Sequence, residues 1–305
     1  MIAGVFPGQG SQSPGMASGW GAQEALASAV FAEASAVLGY DLWALVAEGS
    51  AEELGRTEIT QPAMLAADIA AWRCYRAAGG RMPVAMAGHS LGEYAALVAA
   101  ESLAFADAVA LVAERGRLMQ AAVAPGAGAM AAVLGLSDEA VLGVCAEAAE
   151  GEVCEAVNFN SPGQVVVAGD AAAVARAEPL AKAAGAKRFV LLPVSVPSHS
   201  SLMREAAARL ADALATVPLV PPVVPVLHNV DAKTHDDAVA IRHALVEQLH
   251  RPVQWVACVE ALAARGALRQ LEFGPGKVLS GLAKRIDKNI TSLPVWDEAS
   301  LTAAM

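Results

Sequence analysis

Positive charge is absent from the start of this chain: the first basic side chain is Arg56. The opening stretch therefore has neither the charged start of a secretory signal nor the arginines of a transit peptide, and a cytoplasmic location is expected. Aromatic residues are also scarce, at 5% of 305 residues, whereas hydrophobic residues reach 55%. So much alanine with so few large rings implies helices packed closely on a sheet, and the hydrophobic content excludes disorder. Uncharged stretches are broken by Pro218, Pro221, Pro222 and Pro225, or by the glycines around Gly126, so no membrane-spanning helix and no membrane partner are expected. Cys74, Cys145, Cys154 and Cys258 include no Cys-x-x-Cys pair and no histidine at zinc spacing, which leaves no metal site to expect. Lysine and arginine number 21 against 31 acidic residues, a net charge of −10. That balance argues against nucleic acid, and an acidic partner would need a local basic patch.

Two glycine-rich turns lack the spacing of nucleotide loops. Gly8-Gln9-Gly10-Ser11-Gln12 follows a first strand but does not complete Gly-x-Gly-x-x-Gly. In Gly274-Pro275-Gly276-Lys277, Leu271 stands where a phosphate loop needs its first glycine, and Val278 where it needs Ser or Thr.

What is present is Gly88-His89-Ser90-Leu91-Gly92, between an apolar strand-like run (Val84 to Ala87) and an apolar helical stretch (Glu93 to Ala100). A serine between two glycines suits a tight strand-to-helix turn that lifts its hydroxyl clear, making Ser90 the candidate nucleophile; a glycine-punctuated turn with a capping serine is the plainer alternative. Ile2 to Phe6 reads as a buried strand, and Gln61 to Ala78 and Phe105 to Val123 as helices. After the break at Pro125 the rhythm changes. Strands Met130 to Leu136, Val153 to Val157, Gln164 to Ala168 and Arg188 to Val194 alternate with helices Asp138 to Ala149 and Ala171 to Ala184, in the β-α-β-β-α-β order of a ferredoxin-like module. Strands then follow near Val223 to Asn229 and Ala267 to Glu272. The expected fold is α/β: an α/β-hydrolase-like catalytic domain over 1–124 and 198–305, with a ferredoxin-like small domain at 125–197.

A serine needs a base, and six histidines are available. His89 adjoins Ser90 in an extended segment and points to the other face. His228, His235, His243 and His250 have no special context and read as exposed or satisfied. His199 lies in the irregular Val196-Pro197-Ser198-His199-Ser200, where a loop can present an imidazole. Asp107, Asp138 and Asp170 are the aspartates between Ser90 and His199, and none is well placed as a triad acid. His199 is then expected to be oriented by something other than a carboxylate, such as a backbone carbonyl accepting from its Nδ1–H. Arg115 and Arg117 stand in an apolar helix; they read either as solvated arginines or as a clamp, since a guanidinium binds a carboxylate through two charge-assisted hydrogen bonds.

Taken together, the Gly8–Gln12 turn, the Ser90 elbow with Glu93, Arg115-Gly116, Asn158-Phe159-Asn160-Ser161-Pro162-Gly163-Gln164, Pro197-Ser198-His199 and Pro252-Val253-Gln254-Trp255 resemble the malonyl-CoA:acyl carrier protein transacylases of bacterial type II fatty acid synthesis. The resemblance implies a ping-pong transfer of malonyl from malonyl-CoA, through malonyl-Ser90, to the phosphopantetheine thiol of acyl carrier protein, without a cofactor. It further implies His199 as base, oriented by the main-chain carbonyl of Gln248. Gln9 and Leu91 N–H groups would form the oxyanion hole, Arg115 would bind the malonyl carboxylate, and Asn158 and Asn160 would lie at the substrate. A monomer is expected, with Lys182, Lys187, Arg188, Lys277, Lys284, Arg285 and Lys288 as candidate docking cations. The competing readings are a serine esterase or thioesterase, a malonyl transferase serving malonate decarboxylase or a polyketide synthase, and a non-catalytic carrier-protein-binding module. Arg115 and the missing acid argue against a hydrolase.

Overall fold

Ile2–Phe6 is apolar throughout, as a strand covered on both faces must be, and it becomes the centre of a parallel sheet. The structure, a computed structural model, describes residues 1–194 and 196–305. In chain order the strands are β1 (Ile2–Phe6), β2 (Ala85–Gly88), β3 (Gly128–Leu134), β4 (Cys154–Ser161), β5 (Gln164–Asp170), β6 (Arg188–Leu191), β7 (Val226–Leu227), β8 (Arg269–Phe273) and β9 (Thr291–Val295). The helices are α1 (Glu24–Leu38), α2 (Leu42–Glu48), α3 (Ala51–Gly55), α4 (Thr57–Ala77), α5 (Gly92–Ala99), α6 (Phe105–Ala121), α7 (Asp138–Ala149), α8 (Ala171–Ala183), α9 (Arg204–Thr216), α10 (Ala238–His250), α11 (Trp255–Ala264), α12 (Val278–Ile286) and α13 (Glu298–Ala304).

The large sheet runs β7-β2-β1-β8-β9, every pairing parallel. Phe6, Met86, Leu271 and Phe273 face one core with α1, α4 and α6, while Ala3, Val5, Ala85, Ala87 and Leu227 face another with α11 and α12. The few aromatics are concentrated: Phe6, Trp72, Tyr75 and Phe273 stack with ring centroids as close as 5.0 Å, tying α4 to β1 and β8. The second sheet is antiparallel in the order β4-β5-β3-β6, with α7 and α8 on one face. This is the strand order of a ferredoxin-like module, so the α/β architecture comprises a large parallel-sheet domain and a small antiparallel one. The two are stitched together where Val253 N–H donates to Val157 O at 2.9 Å and Phe159 N–H to Val253 O at 3.0 Å.

Several boundaries differ from the sequence reading. The strand expected near Val223 to Asn229 shrinks to β7: Pro225 has no N–H to give a ladder, and the N–H groups of Val223 and His228 turn to the carbonyls of Ala100 and Lys233 instead. Helix α4 starts at Thr57 rather than Gln61; Pro62 is tolerated in its second turn. β6 stops at Leu191, short of Val194. The short α3, β9 and α13 were not anticipated. Among the described residues no single helix is long and apolar enough to cross a membrane, and no group of three His, Cys, Asp or Glu is placed to hold a metal ion.

Candidate active site

β2 ends at Gly88 and α5 begins at Gly92, leaving three residues to reverse the chain. Ser90 takes φ +53°, a left-handed conformation that costs a non-glycine residue energy and marks a constrained turn. The two glycines make room for it. A Cβ on Gly88 would overlap the Gly92 carbonyl, and one on Gly92 would overlap the carbonyl oxygen of Phe6 at the end of β1. The turn is further held by side chains: Ser90 N–H donates to Asn229 Oδ1 at 2.7 Å, Asn229 Nδ2 donates to Gly88 O at 2.7 Å, and Gln248 Nε2 donates to Ser90 O at 2.9 Å.

His199, from the loop between β6 and α9, meets this serine across 109 residues: Ser90 Oγ–H donates to His199 Nε2 at 2.8 Å. Its other nitrogen, Nδ1–H, donates to the main-chain carbonyl of Gln248 at 2.6 Å, so the tautomer follows from its partners. His199 itself has φ +64°. Burial first, and then the nearby Arg115 guanidinium, push its pKa down to about 3, with the bond to Gln248 opposing part of the shift. The imidazole is therefore neutral over the whole range near neutrality, with the Nε2 lone pair turned to the Ser90 hydroxyl.

Arg115 and Arg117 part company. Arg117 is exposed and paired with Glu114, whereas Arg115 is 1% exposed, among the largest buried side chains. Its Nη1 donates to Gln61 Oε1 at 2.8 Å, and its Nη2 to Gln248 Oε1 at 3.1 Å and Ser90 Oγ at 3.3 Å. Its charge also lies over the Tyr94 ring, 5.6 Å from the centroid. Among the described residues no carboxylate pairs with it, and Nε has no partner. Burial accordingly lowers its pKa.

Gln9 and Leu91 flank the serine. Neither N–H has a hydrogen-bond partner among the described residues, and a Cβ on Gly8 would sit 3.7 Å from Leu91 N, so the two turns lie side by side. Asn160 accepts from His89 Nε2 at 2.8 Å, and His89 rests against Trp255. His89 is thus turned away from Ser90 as its extended setting required. Asn158 makes no hydrogen bond to Ser90, His199 or Arg115, and its buried Oδ1 is unpartnered.

Beneath the elbow lies a layer the sequence reading did not identify. Glu93, fully buried in the first turn of α5, accepts from His228 Nδ1 at 2.7 Å, Asn229 N at 2.9 Å and Gln248 Nε2 at 2.8 Å. Gln61 and Asn229 were likewise missed. A lone acid opening an otherwise apolar helix was the available signal for Glu93; its partners, more than 130 residues away, left none.

The sequence profile of the acyl transferase domain family matches residues 4–289. A malonyl CoA-acyl carrier protein transacylase of Salmonella typhimurium is 56% identical over 301 residues, 99% of this chain and 97% of that protein. An acyl carrier protein S-malonyltransferase from Vibrio cholerae, solved by crystallography, superposes with a TM-score of 0.97 at 54% identity, over 100% of this chain and 99% of that one. A structure of a type II polyketide-synthase acyl-carrier protein in complex with its malonyl-transacylase gives 0.98 at 52% identity, over 99% and 98%.

Proposed function

Because the chain belongs to the acyl transferase domain family, with malonyl-CoA:acyl carrier protein transacylases as its full-length relatives, we propose that it loads malonyl onto Ser90 and passes it to acyl carrier protein. It is an enzyme, an acyltransferase that supplies malonyl-acyl carrier protein for fatty acid synthesis. Residues 1–124 and 198–305 act as the catalytic domain and 125–197 as the inserted small domain. The enzyme works as a cytoplasmic monomer, with no cofactor and no nucleic-acid or membrane partner.

The observation that carries this reading is Arg115, a buried cation with no carboxylate in contact with it among the described residues, 3.3 Å from the nucleophile. Keeping such a charge out of water is costly unless something negative joins it. A malonyl group brings its own carboxylate, two bonds from the carbonyl under attack. Ser90 Oγ adds to the thioester carbonyl while its proton passes to His199 Nε2. The oxyanion takes the free N–H groups of Gln9 and Leu91, a pair of preorganised donors. As the C–S bond breaks, His199 returns the proton to the CoA sulfur. In the second half the phosphopantetheine thiol gives its proton to His199 and attacks malonyl-Ser90, and the serine leaves with that proton restored. The Gln248 carbonyl keeps the imidazole aimed throughout, which is why no carboxylate is needed behind it. Asn160 serves the site by fixing His89 at its edge, and Asn158 borders the acyl pocket.

The test is mass spectrometry after mixing with malonyl-CoA or acetyl-CoA, before and after holo acyl carrier protein. A malonyl adduct on the Ser90 peptide that carrier protein discharges, with little acetyl adduct, is expected. An adduct lost equally fast without acceptor would make the protein a thioesterase, and no adduct would make it a binding module. The 52%-identical complex favours a second reading, in which a polyketide-synthase carrier is the acceptor. Comparing kcat/KM for carriers of the two kinds separates them.

A further inference from the structure

We propose that Asn229 is a positioning residue for the nucleophile, its side-chain amide bracing the turn that aims Ser90 Oγ at His199. The proposal rests on the reading that Ser90 carries the acyl group. The amide spans the elbow from one side to the other: Oδ1 accepts from Ser90 N–H at 2.7 Å, and Nδ2 donates to Gly88 O at 2.7 Å. A donor facing one end and an acceptor facing the other leave it one orientation. Ser90 N–H has no main-chain partner among the described residues. Without Asn229 that donor would go unpaired, at a residue whose left-handed φ of +53° already costs energy. The backbone of Asn229 is anchored independently of its amide, since its N–H donates to Glu93 Oε2 at 2.9 Å and its carbonyl accepts from Gln254 N–H at 2.8 Å. A different side chain at 229 therefore starts from the same place.

Two replacements separate bracing from packing. Leucine fills a similar volume and makes neither bond, so the elbow can relax and Oγ drift from His199 Nε2. Aspartate keeps the shape, and pH sets its chemistry. As an acid it can still accept from Ser90 N–H and donate to Gly88 O; as a carboxylate it has no donor and sets a negative charge against that carbonyl. The charged and titratable groups around it are Glu93, with His228 behind it, and Arg115 and His199, both reached through Gln248. Burial and Glu93 favour the acid form, and Arg115 opposes it.

At saturating malonyl-CoA, acylation of Ser90 followed by rapid quench and mass spectrometry should slow about 10²-fold in Asn229→Leu, the scale of a misplacement of about 1 Å. Discharge to holo acyl carrier protein should slow by the same factor. Malonyl and acetyl donors should suffer alike, with KM for malonyl-CoA within about threefold of wild type. In Asn229→Asp the acylation rate, taken relative to wild type at each pH, should stand near one at about pH 6 and fall about tenfold toward about pH 9 as the acid ionises. His199 stays neutral across that range, so the fall belongs to residue 229. Wild-type rates in Asn229→Leu, or a loss confined to KM or to one donor, overturn the proposal, as does an Asn229→Asp ratio that does not change with pH. If Asn229→Leu does not fold, the Asn229→Asp ratio decides alone. Ser90→Ala tells the two failures apart. An adduct that still forms there defeats the reading of Ser90, whereas an adduct lost there with unchanged rates in the Asn229 variants defeats the bracing role alone.

Discussion

His199 owes its readiness to burial. A histidine with no acid behind it and a guanidinium nearby holds no proton at neutral pH, and its pKa of about 3 places its titration well outside the working range. The consequence for stability has a definite sign. The unfolded chain binds a proton at this residue near the ordinary value of 6.5, before the folded protein does, so stability falls as pH drops below 6.5 and continues to fall toward 3. Between pH 7.5 and 5.5 the loss from this one residue is about 1 kcal/mol. Urea unfolding of wild type and His199→Gln at both pH values should show the gap between them shift by that amount in favour of the variant on acidification; a gap independent of pH would show that the imidazole is not held neutral. At this scale legibility in the sequence followed locality. Ser90 announced itself through its own two glycines, and His199 through the loop it sits in. Gln248 was reached only by resemblance, because a main-chain carbonyl has no signature in residue type. Asn229 and Gln61 serve by amide contacts that any buried Asn or Gln might make, and their neighbours along the chain say nothing of them.

The elbow works because two elements approach closely. Gly92 opens α5 directly against the end of β1, and the obstacle to any side chain there is backbone, the Phe6 and Pro7 carbonyls, which cannot rotate away. Gly92→Ala must push α5 outward, and Leu91 N–H moves with it, away from the Gly8–Gln9 turn. The expected result is a fall in kcat of about 10²–10³, as when one oxyanion donor is removed. Overpacking should add a stability loss of about 1–3 kcal/mol. Steady-state kinetics and a urea midpoint measure both, and wild-type kcat in a folded variant would remove Leu91 from the proposed oxyanion hole. The elements were legible where the apolar pattern was strong, as in β1, α6 and the order of strands and helices in the small domain, although β4 runs on to Ser161, past the expected end at Val157, and β6 stops at Leu191. They were less so at β7, where a run that read as seven residues of strand kept two, and at α4, which begins at Thr57, a turn before the expected Gln61. At β7 the ends depend on hydrogen bonds to Ala100 and Lys233, partners that the local residue pattern does not reveal.

The acceptor proposed for this chain is an acyl carrier protein, and the resemblance implies an acidic one, so an acidic chain must meet an acidic partner. The net charge of −10 opposes that encounter, so it falls to a local patch to supply the attraction. The fold assembles one from cations far apart in sequence. Arg285 on α12 donates to Gln164 Oε1 at 2.5 Å, bridging the large domain to the β4–β5 turn of the small one. Gly163 in that turn accepts from Gly135 N at 2.8 Å, and the Lys187 side chain lies against Gly135. Lys187 and Arg285 are thereby brought to one turn, which leads along β4 to Asn160 at the edge of the site. Lys182, by contrast, is engaged with Glu178 on its own helix. Charge reversal at Arg285 and Lys187 together should raise KM for holo acyl carrier protein about tenfold at low ionic strength, and the effect should fade toward 0.5 M salt, roughly where screening reaches a few ångströms. KM for malonyl-CoA should change by less than about threefold, because CoA carries fewer charges to steer than a carrier protein. Lys182→Glu should behave as wild type. If the double reversal leaves carrier-protein kinetics intact at low salt while Lys182→Glu impairs them, the carrier approaches over α8 instead, and the junction between the two domains serves to hold them together and not to receive a partner.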